Sequence, residues 1–507
     1  MNLHEDIANR HVLPVEGLSR SRQDEPLSVR IVVSAQWAAS RAGQLLVSCL
    51  ANLLVRQVSL VRQVEIASSP APSLVRIPTV ISSRDFPGSL VSLSDWAVDG
   101  VVPVIERLIP DPADFTIFVG TPLPEPIPNH GQVLTALGDG WRAWVGTPDL
   151  APQGVLPSSG NPLGPFLAAA LIAGEVFKRS RGILRGRYLT AEGFSLWSNK
   201  GSSAWGDLDP GPEIAGHVLR PLHIVGLGAV GNALAYIIAN LQLSEAYPVL
   251  IDDDKYDETN LNRCLLAGWP NRNDLKVGAV YEALNAAGID AYPFEGNVTS
   301  YVTDARRGLR ENVARRVETL DFEIVASCVD RGLSRQHVQG LRPRLLLGGS
   351  TLNLQAKSNL YSGRPGAACL ACFNPAERDG EKVRSLESRL RNMLPQDRRG
   401  FLEANGLDAR AIEDYLLGAP CGGLGEAAIR EFAIRPPAQF SAGFVSLGAG
   451  LLLGTSILRS SIFQATAPPV GDMVTLNFLN GGMIDVGLGA DENCEMQCQS
   501  RSRACNA

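Results

Sequence analysis

The chain has 507 residues and a formal net charge of −6; 45% of its residues are hydrophobic and 19% are charged. This composition predicts a globular chain with ample core-forming residues and excludes a largely disordered one. Because the net charge is negative, there is no electrostatic case for binding nucleic acid or an anionic membrane. We expect proteins and small molecules as partners.

The sequence gives no sign of export or of membrane insertion. The N-terminal segment contains acidic residues and lacks the apolar stretch of a secretory signal. Apolar stretches elsewhere are interrupted by glycine, serine or charge before they reach the length of a membrane span. Nine cysteines in so long a chain do not make a disulfide scaffold. We therefore expect a cytoplasmic protein whose clustered cysteines serve metal binding or catalysis.

Residues 1–200 are predicted to form an α/β lobe. Its apolar patterns predict strands and a helix in βαβ order, at 29–34, 35–55, 58–66 and 115–120. The turn after the first strand, 34–40, lacks glycine and places Trp37 where a phosphate would lie. This lobe is interpreted as a nucleotide-binding fold that cannot bind nucleotide.

Residues 201–507 are predicted to form a second lobe. Helices rich in small residues at 161–179 and 440–459 suggest two copies of one fold, and the Gly-, Ser- and Pro-rich segment 186–216 is the predicted linker. Within the second lobe, residues 375–420 are charged and predict short exposed helices. Such an insertion is a candidate lid or partner-binding region.

The strongest motif lies between residues 222 and 276. A β-branched strand leads into a glycine turn and a helix, and a second strand ends on Asp252; the turn contains Gly226, Gly228 and Gly231. Glycines permit a tight turn and close approach of a phosphate, and the acid is placed for ribose hydroxyls. This pattern alone is compatible with NAD, FAD or ATP.

The residues that follow favour ATP. Asn260 and Arg263 lie just past the ribose acid, and Lys276 lies further along. A dehydrogenase has no use for two cations and an amide at this place, whereas an enzyme that cleaves ATP at the α-phosphate needs donors along the triphosphate. Asp330 follows a predicted strand, 322–328, where carboxylates face the ligand crevice, although it could instead cap the next helix.

These motifs, in this order, resemble the ThiF/MoeB/HesA adenylyltransferase family, which includes the ubiquitin-activating enzymes. The resemblance covers residues 222–505, and Asn9–Pro14 also resembles the family's opening segment, whose arginine reaches across a dimer into the partner's ATP site. It implies two Rossmann-like lobes with doubly wound, mixed sheets, forming a pseudo-dimer of an inactive and an active adenylation domain within one chain.

The resemblance also implies roles for individual residues. ATP would be bound by the three glycines and by residues on the ribose and phosphates, namely Asp252, Asp254, Asn260, Arg263, Lys276 and, from the other lobe, Arg10. Asp330 would hold magnesium. Arg331 departs from the family at this point, because a small polar residue is usual after the magnesium aspartate.

Among the cysteines, a metal-binding set and a nucleophile are predicted, while Cys49, Cys264 and Cys328 lie in apolar or ATP-site contexts. Four thiolates supply a usual tetrahedral zinc set, which the resemblance implies is structural: Cys369, Cys372, Cys494 and Cys498. The last spacing is one residue longer than is usual, so Cys505 is an alternative ligand. Cys421, between Pro420 and a pair of glycines, stands where the family keeps the thiol that receives the activated acyl group; an inert loop thiol is the alternative.

The leading hypothesis is activation of a ubiquitin-like protein: adenylation of its C-terminus, a thioester on Cys421, and transfer to a conjugating enzyme. The chain resembles compact fused activators of bacterial ubiquitination-like (Bil/Bub-type) operons, some of which are linked to antiviral defence. Sulfur-carrier activation for thiocarboxylate formation is one alternative. A non-catalytic scaffold that binds nucleotide or a partner is another.

Overall fold

Each half of the chain contains a mixed eight-stranded β-sheet with helices, which confirms the predicted α/β fold class. The computed structural model describes residues 3–13, 15, 24–75, 85–106, 113–120, 132–183, 188–306, 322–330, 332–361, 366–373, 379–404, 407–418, 423–434 and 440–494. Two units are distinguished, one of Met1–Phe373 with Phe440–Ala507 and one of Asn374–Gln439. Both sheets belong to the first unit.

The first sheet contains β1 Leu27–Val33, β2 Val61–Ser68, β3 Val104–Glu106, β4 Phe115–Val119, β5 Gln132–Asp139, β6 Arg142–Gly146, β7 Ala191–Ser195 and β8 Lys200–Ser202. The second contains β9 Val218–Val225, β10 Glu245–Asp252, β11 Tyr292–Glu295, β12 Ile324–Ser327, β13 Leu345–Leu352, β14 Gln355–Tyr361, β15 Met473–Asn477 and β16 Gly482–Val486.

The two sheets have the same topology. Their strand orders are β3-β2-β1-β4-β5-β6-β7-β8 and β11-β10-β9-β12-β13-β14-β15-β16. In each sheet the first five strands are parallel and the remaining ones antiparallel. Since ligands in such sheets bind beyond the carboxyl ends of the parallel strands, each half has one candidate crevice.

The helices of this unit are α1 Leu3–Ala8, α2 Ala35–Ala38, α3 Arg41–Val55, α4 Leu93–Val98, α5 Leu163–Ser180, α6 Ala229–Ile238, α7 Lys276–Ala286, α8 Val298–Arg306, α9 Gly332–Gln339 and, after the second unit, α14 Gly443–Ser461. The helix predicted over 35–55 is divided into α2 and α3. Ser40 causes the division, because its hydroxyl accepts a hydrogen bond from the Gly43 N–H at 3.0 Å and caps α3.

The prediction that residues 186–216 form a linker is wrong where the structure has strands, within residues 191–202. Residues 191–202 form β7 and β8, which complete the first sheet, and β7 pairs with β6 over its whole length. Gly193 is needed for close strand packing, because a Cβ there would lie 2.5 Å from the Ser202 carbonyl oxygen. Glycine at this position therefore reflects tight strand packing, not a loose connection.

The two lobes pack through their small-residue helices, α5 and α14. Phe177 of α5 and Phe444 of α14 have ring centroids 5.3 Å apart. Helix α14 is long and apolar enough to cross a membrane, but 89% of its apolar stretch is buried inside the protein. Its burial against α6, β13 and β14 of its own lobe and against α5 of the other lobe accounts for its composition.

Equivalent cations also join the lobes. Lys178, in the last turn of α5, donates from Nζ to the carbonyl of Leu479, two residues beyond β15, at 3.1 Å. Arg459, in the last turn of α14, donates to the carbonyl of Trp197, two residues beyond β7. The same contact made in both directions is what a two-fold arrangement produces.

The second unit is helical, as the charged composition predicted. It contains α10 Asp379–Asn392, α11 Pro395–Ala404, α12 Ala409–Leu416 and α13 Gly423–Ile434. Its own apolar core is formed by Leu390, Leu402, Ile412, Leu416 and Ile429. The helices extend past the predicted end at residue 420, and a role as a lid or partner site stays a prediction.

Candidate functional site

The glycine turn joins β9 to α6, and two of its three glycines are packed closely against neighbouring backbone. Gly226 has φ +90°, which favours glycine, and a Cβ there would lie 2.9 Å from the backbone of Cys328. A Cβ on Gly231 would lie 1.9 Å from the Gly226 carbonyl oxygen, so only glycine allows this approach of helix and strand. Gly228, by contrast, faces open space. The turn therefore leaves room for a ligand at Gly228.

Asp252 ends β10 beside this turn. Its carboxylate accepts hydrogen bonds from the N–H groups of Leu227 and, at 2.8 Å, Asp254. Burial raises the pKa of Asp252 above its ordinary value, although the charge of Lys276 and these hydrogen bonds oppose the shift. The carboxylate is thus held rigidly at the edge of the crevice, where a ribose would lie.

Lys276 begins α7 and is anchored to the same edge. Its Nζ donates to Asp254 at 2.7 Å, and its backbone N–H donates to the Asp254 carbonyl at 3.0 Å. Burial lowers the pKa of Lys276, but the carboxylates of Asp252 and Asp254 outweigh burial and raise it overall. Lys276 is therefore a buried, charged ammonium next to the acids.

Asn260 and Arg263 lie on a short 3₁₀ turn, Glu258–Asn260, and the loop after it. The Asn260 amide donates to Asp257 at 2.7 Å, and the Arg263 guanidinium donates to the Thr259 carbonyl and, at 2.8 Å, to Asn262. None of the carboxylates in the described part of the chain forms an ion pair with Arg263. The Asp257 carboxylate interacts with Arg263 electrostatically but outside ion-pair distance, so the guanidinium can still pair with another anion.

The N-terminal segment brings Arg10 to this place. Helix α1 packs against the Glu258–Asn260 turn, and the Ser441 N–H donates to the Arg10 carbonyl at 3.2 Å. The pKa of Arg263 is lowered first by burial and then by the positive charge of Arg10. Two guanidinium groups placed within range of mutual repulsion favour an anion between them.

His11 fixes the segment that carries Arg10. The buried imidazole contacts the Val58 carbonyl at 2.6 Å through Nε2 and the Asn262 amide at 3.4 Å through Nδ1. Burial lowers the pKa of His11 to about 4, so the ring is neutral near pH 7. Arg10 and Arg263 are each one residue from this His11–Asn262 contact.

Asp330, the predicted magnesium ligand, is an exposed carboxylate just beyond β12. An exposed carboxylate oxygen at a strand end suits a hard cation that keeps most of its waters. Arg335 donates from Nε to the Val329 carbonyl at 2.9 Å and fixes the neighbouring backbone. Arg331 lies outside the described residues.

Three of the predicted zinc ligands lie together. The Sγ atoms of Cys369 and Cys494 are 3.5 Å apart, those of Cys369 and Cys372 are 3.8 Å apart, and all three lie within 4.8 Å of one another. Thiolates about 2.3 Å from a tetrahedral zinc are separated by about 3.8 Å, so this set fits zinc. Burial raises the pKa of Cys369, which binding of a cation would reverse.

The remaining cysteine predictions fall outside the described residues. Cys498 and Cys505 lie there, and so does Cys421, which belongs to the second unit. The fourth zinc ligand and the nucleophile therefore stay predictions.

Asn232 is a site residue that the sequence reasoning missed. This fully buried side chain follows the last glycine of the turn; it donates to the Tyr256 hydroxyl at 2.9 Å and accepts from the Leu266 N–H at 2.9 Å. It thereby ties α6 to the segments on either side of Arg263. A lone amide within the apolar helix Ala229–Ile238 was the available signal, because buried amides need partners.

Comparison with known proteins identifies both halves. The ThiF family matches residues 220–485, and the BilD N-terminal domain matches residues 28–188. The bacterial E1-like protein BilD of Collimonas sp. (strain OK412) is 32% identical over 160 residues, 30% of this chain and 33% of BilD. The uncharacterized protein y4jF of Sinorhizobium fredii (strain NBRC 101917 / NGR234) is 27% identical over 242 residues, 46% of this chain and 42% of that protein.

These alignments span only about a third and two fifths of the length of the two relatives. Among solved structures, E. coli MccB with succinimide is 15% identical with a TM-score of 0.36 and covers 54% of this chain and 66% of MccB. MccB with ATP is 14% identical with a TM-score of 0.36 and covers 54% of this chain and 65% of MccB.

Proposed function

Because the chain belongs to the ThiF family, we propose that it uses ATP to adenylate the C-terminal carboxylate of a ubiquitin-like protein. The observation that carries this proposal is the set of cations beside the glycine turn. Arg263 and Lys276 both lie close enough to Cys264 to lower the pKa of that buried thiol against the effect of burial, and Arg10 lies close to Arg263. Cations gathered in this way suit a polyphosphate.

In the proposed reaction a carboxylate oxygen attacks the α-phosphorus, the bond to the bridging oxygen breaks, and pyrophosphate leaves. Since two anions must meet, Lys276, Arg263 and Arg10 would neutralise phosphate oxygens while Asp252 holds the ribose and Asn260 assists. Asp330 would hold magnesium, which neutralises charge on the leaving pyrophosphate when bound. Gly228 would leave room for the phosphates.

In the second proposed step the Cys421 thiolate attacks the acyl carbonyl, AMP leaves, and a thioester forms. Transfer to a conjugating enzyme would follow. The relative described as E1-like supports this order of events. The helical unit that contains Cys421 has its own core, as a region bearing a separate reactive group would need.

We further propose that the lobes form a pseudo-dimer in which only the second binds ATP. In the first lobe Trp37 is fully buried, and a Cβ on Gly120, at the end of β4, would lie 1.7 Å from its indole ring. The ring thus occupies space beside the carboxyl end of β4 in the first lobe, and we take it to block that lobe's crevice. The shared strand order and the Lys178 and Arg459 contacts support the two-fold relation.

The test is ATP–pyrophosphate exchange with the full chain, magnesium and a candidate ubiquitin-like protein, followed by a gel without reductant. We expect exchange that needs the free C-terminal carboxylate and a thiol-sensitive adduct that Cys421→Ala abolishes. Exchange without an adduct, together with sulfide-dependent thiocarboxylate formation, would favour sulfur-carrier activation instead. If no carrier protein supported ATP–pyrophosphate exchange, the hypothesis of a non-catalytic binding scaffold would be favoured.

A further inference from the structure

Side chains of the first lobe hold the loop that carries Arg263. Arg56, at the end of α3, donates from Nη1 to the Leu261 carbonyl at 2.6 Å and from Nε to the Asn52 side chain at 2.8 Å. Asn52 donates to the Leu265 carbonyl at 3.2 Å. The two carbonyls lie two residues before and two residues after Arg263, so the loop is fixed on both sides of it.

Arg56 is a fully buried arginine, which is an unusual residue for a position that serves packing alone. It is 0% exposed, and no described carboxylate forms an ion pair with it. Burial lowers its pKa to about 10, which still leaves it charged at neutral pH. A buried guanidinium without a carboxylate is costly unless its donors are well used. Here they are directed at backbone carbonyls of the other lobe.

The same face of the first lobe also shapes the end of this loop. The Arg56 guanidinium carbon lies 5.4 Å from the ring centroid of Trp96 in α4. Gly268 packs on the same tryptophan, since a Cβ there would lie 2.3 Å from the Trp96 carbonyl oxygen. The loop is therefore seated on α3 and α4 from Leu261 to Gly268.

The position related to Arg56 in the second lobe carries no cation. Arg56 stands five residues before β2, and Asn240 stands five residues before β10. The Asn240 amide donates to the Tyr236 carbonyl of its own helix at 2.9 Å, and the Asn240 carbonyl accepts from Arg41 of the first lobe at 3.1 Å. Arginine is therefore present in the first lobe, at the position that faces the Arg263 loop, and asparagine stands at the related position of the second lobe.

We propose that Arg56, oriented by Asn52, is a positioning residue that sets the Arg263 loop for the phosphates of ATP. The inference rests on the proposed function, because it takes Arg263 as a phosphate ligand. Arg56 itself would not touch ATP. Its contribution would pass through the carbonyls of Leu261 and Leu265, which fix where the guanidinium of Arg263 can reach.

The experiment measures the dissociation constant of magnesium-ATP for the full chain, with Arg56→Met, Arg263→Ala and the double variant. Removing an interaction that orients a ligand residue costs roughly 10- to 100-fold in affinity or activity, so we expect Arg56→Met to weaken ATP binding by that range. If Arg56 acts through Arg263, the double variant binds no more weakly than Arg263→Ala. Additive losses would indicate general destabilisation and overturn the proposal.

Arg459→Met is the matched control, because Arg459 is also a buried arginine that donates to carbonyls of the other lobe. It should lower the thermal midpoint yet keep the ATP dissociation constant. If Arg56→Met does not fold, the ATP dissociation constant of Asn52→Ala is measured instead. Weaker ATP binding by Asn52→Ala supports the proposal, and wild-type affinity overturns it. A wild-type chain that binds no ATP would refute the proposed function, whereas wild-type affinity in Arg56→Met refutes only this inference.

Discussion

Replacing His11 by Asn tests whether the Arg10 segment is held by a neutral, buried imidazole. The pKa of His11 falls from 6.5 to about 4 because the ring is buried. The folded chain therefore binds a proton at this site more weakly than the unfolded chain. Stability must fall as the pH drops from 6.5 towards 4, and linkage gives a loss of about 2 kcal/mol between pH 7 and pH 5.

The assay is urea unfolding followed by tryptophan fluorescence at pH 7 and pH 5. Other groups titrate as well, including the buried His223 with a pKa lowered to about 4 by burial, but they are common to both proteins. The wild type should thus lose about 2 kcal/mol more than His11→Asn over this pH range. His217→Asn, which alters an exposed histidine, should keep the wild-type difference. Equal losses in wild type and His11→Asn would refute a buried, neutral His11.

Three further predictions concern the site. Arg10→Ala should slow pyrophosphate exchange by roughly a thousandfold, as loss of a trans arginine does in phosphoryl transfer, and undiminished exchange would remove Arg10 from the site. Gly228→Val should fold normally, as judged by circular dichroism, but lose ATP binding, whereas Gly231→Ala should lower the thermal midpoint because its Cβ meets the Gly226 carbonyl. Protein purified without chelator should contain one zinc per chain. Cys369→Ser should lose the zinc and unfold at a lower temperature, since structural zinc contributes on the order of 10 kcal/mol to folding. A wild-type protein without zinc would contradict this prediction.

The glycine turn and the acid and lysine beside it could be predicted from sequence because their determinants are local. Gly226 needs a positive φ and Gly231 a close approach, and both requirements restrict the residue type at that position. Asp252 and Lys276 then fall at the end of a strand and the start of a helix, where periodicity places them. Regular elements, α6 and β10, lead from the glycine turn to Asp252, whereas the segment from Asp252 to Lys276 is a loop with two short 3₁₀ turns, so Lys276 was identified by its motif spacing.

The strands β5 to β8 of the first sheet were not predicted; they form two local hairpins, β5–β6 and β7–β8, but the pairing that joins these hairpins is not local. Strand β6 pairs with β7 across the whole of α5, and nothing in the composition of 186–216 specifies that partner. Arg56 was missed for the same reason: at the end of an apolar helix it resembles a solvated charge, and its acceptor at Leu261 lies 205 residues away. Contacts between lobes depend on docking that one-dimensional patterns do not encode.

If the first lobe binds no nucleotide, as proposed, its contacts with the second lobe give a physical reason to keep it. Trp37 is buried in the turn of the first lobe, and Arg10 and Arg56 of that lobe lie beside Arg263 and its loop. In an arrangement with equivalent lobes each would give and receive such residues, whereas here the position of the second lobe that is related to Arg56 carries Asn240, which bonds to its own lobe through its amide. The proposal therefore predicts that selection on ATP binding acts on Arg10 and Arg56, whereas residues 34–40 are constrained by packing within the first lobe, where Trp37 is buried and Ser40 caps α3.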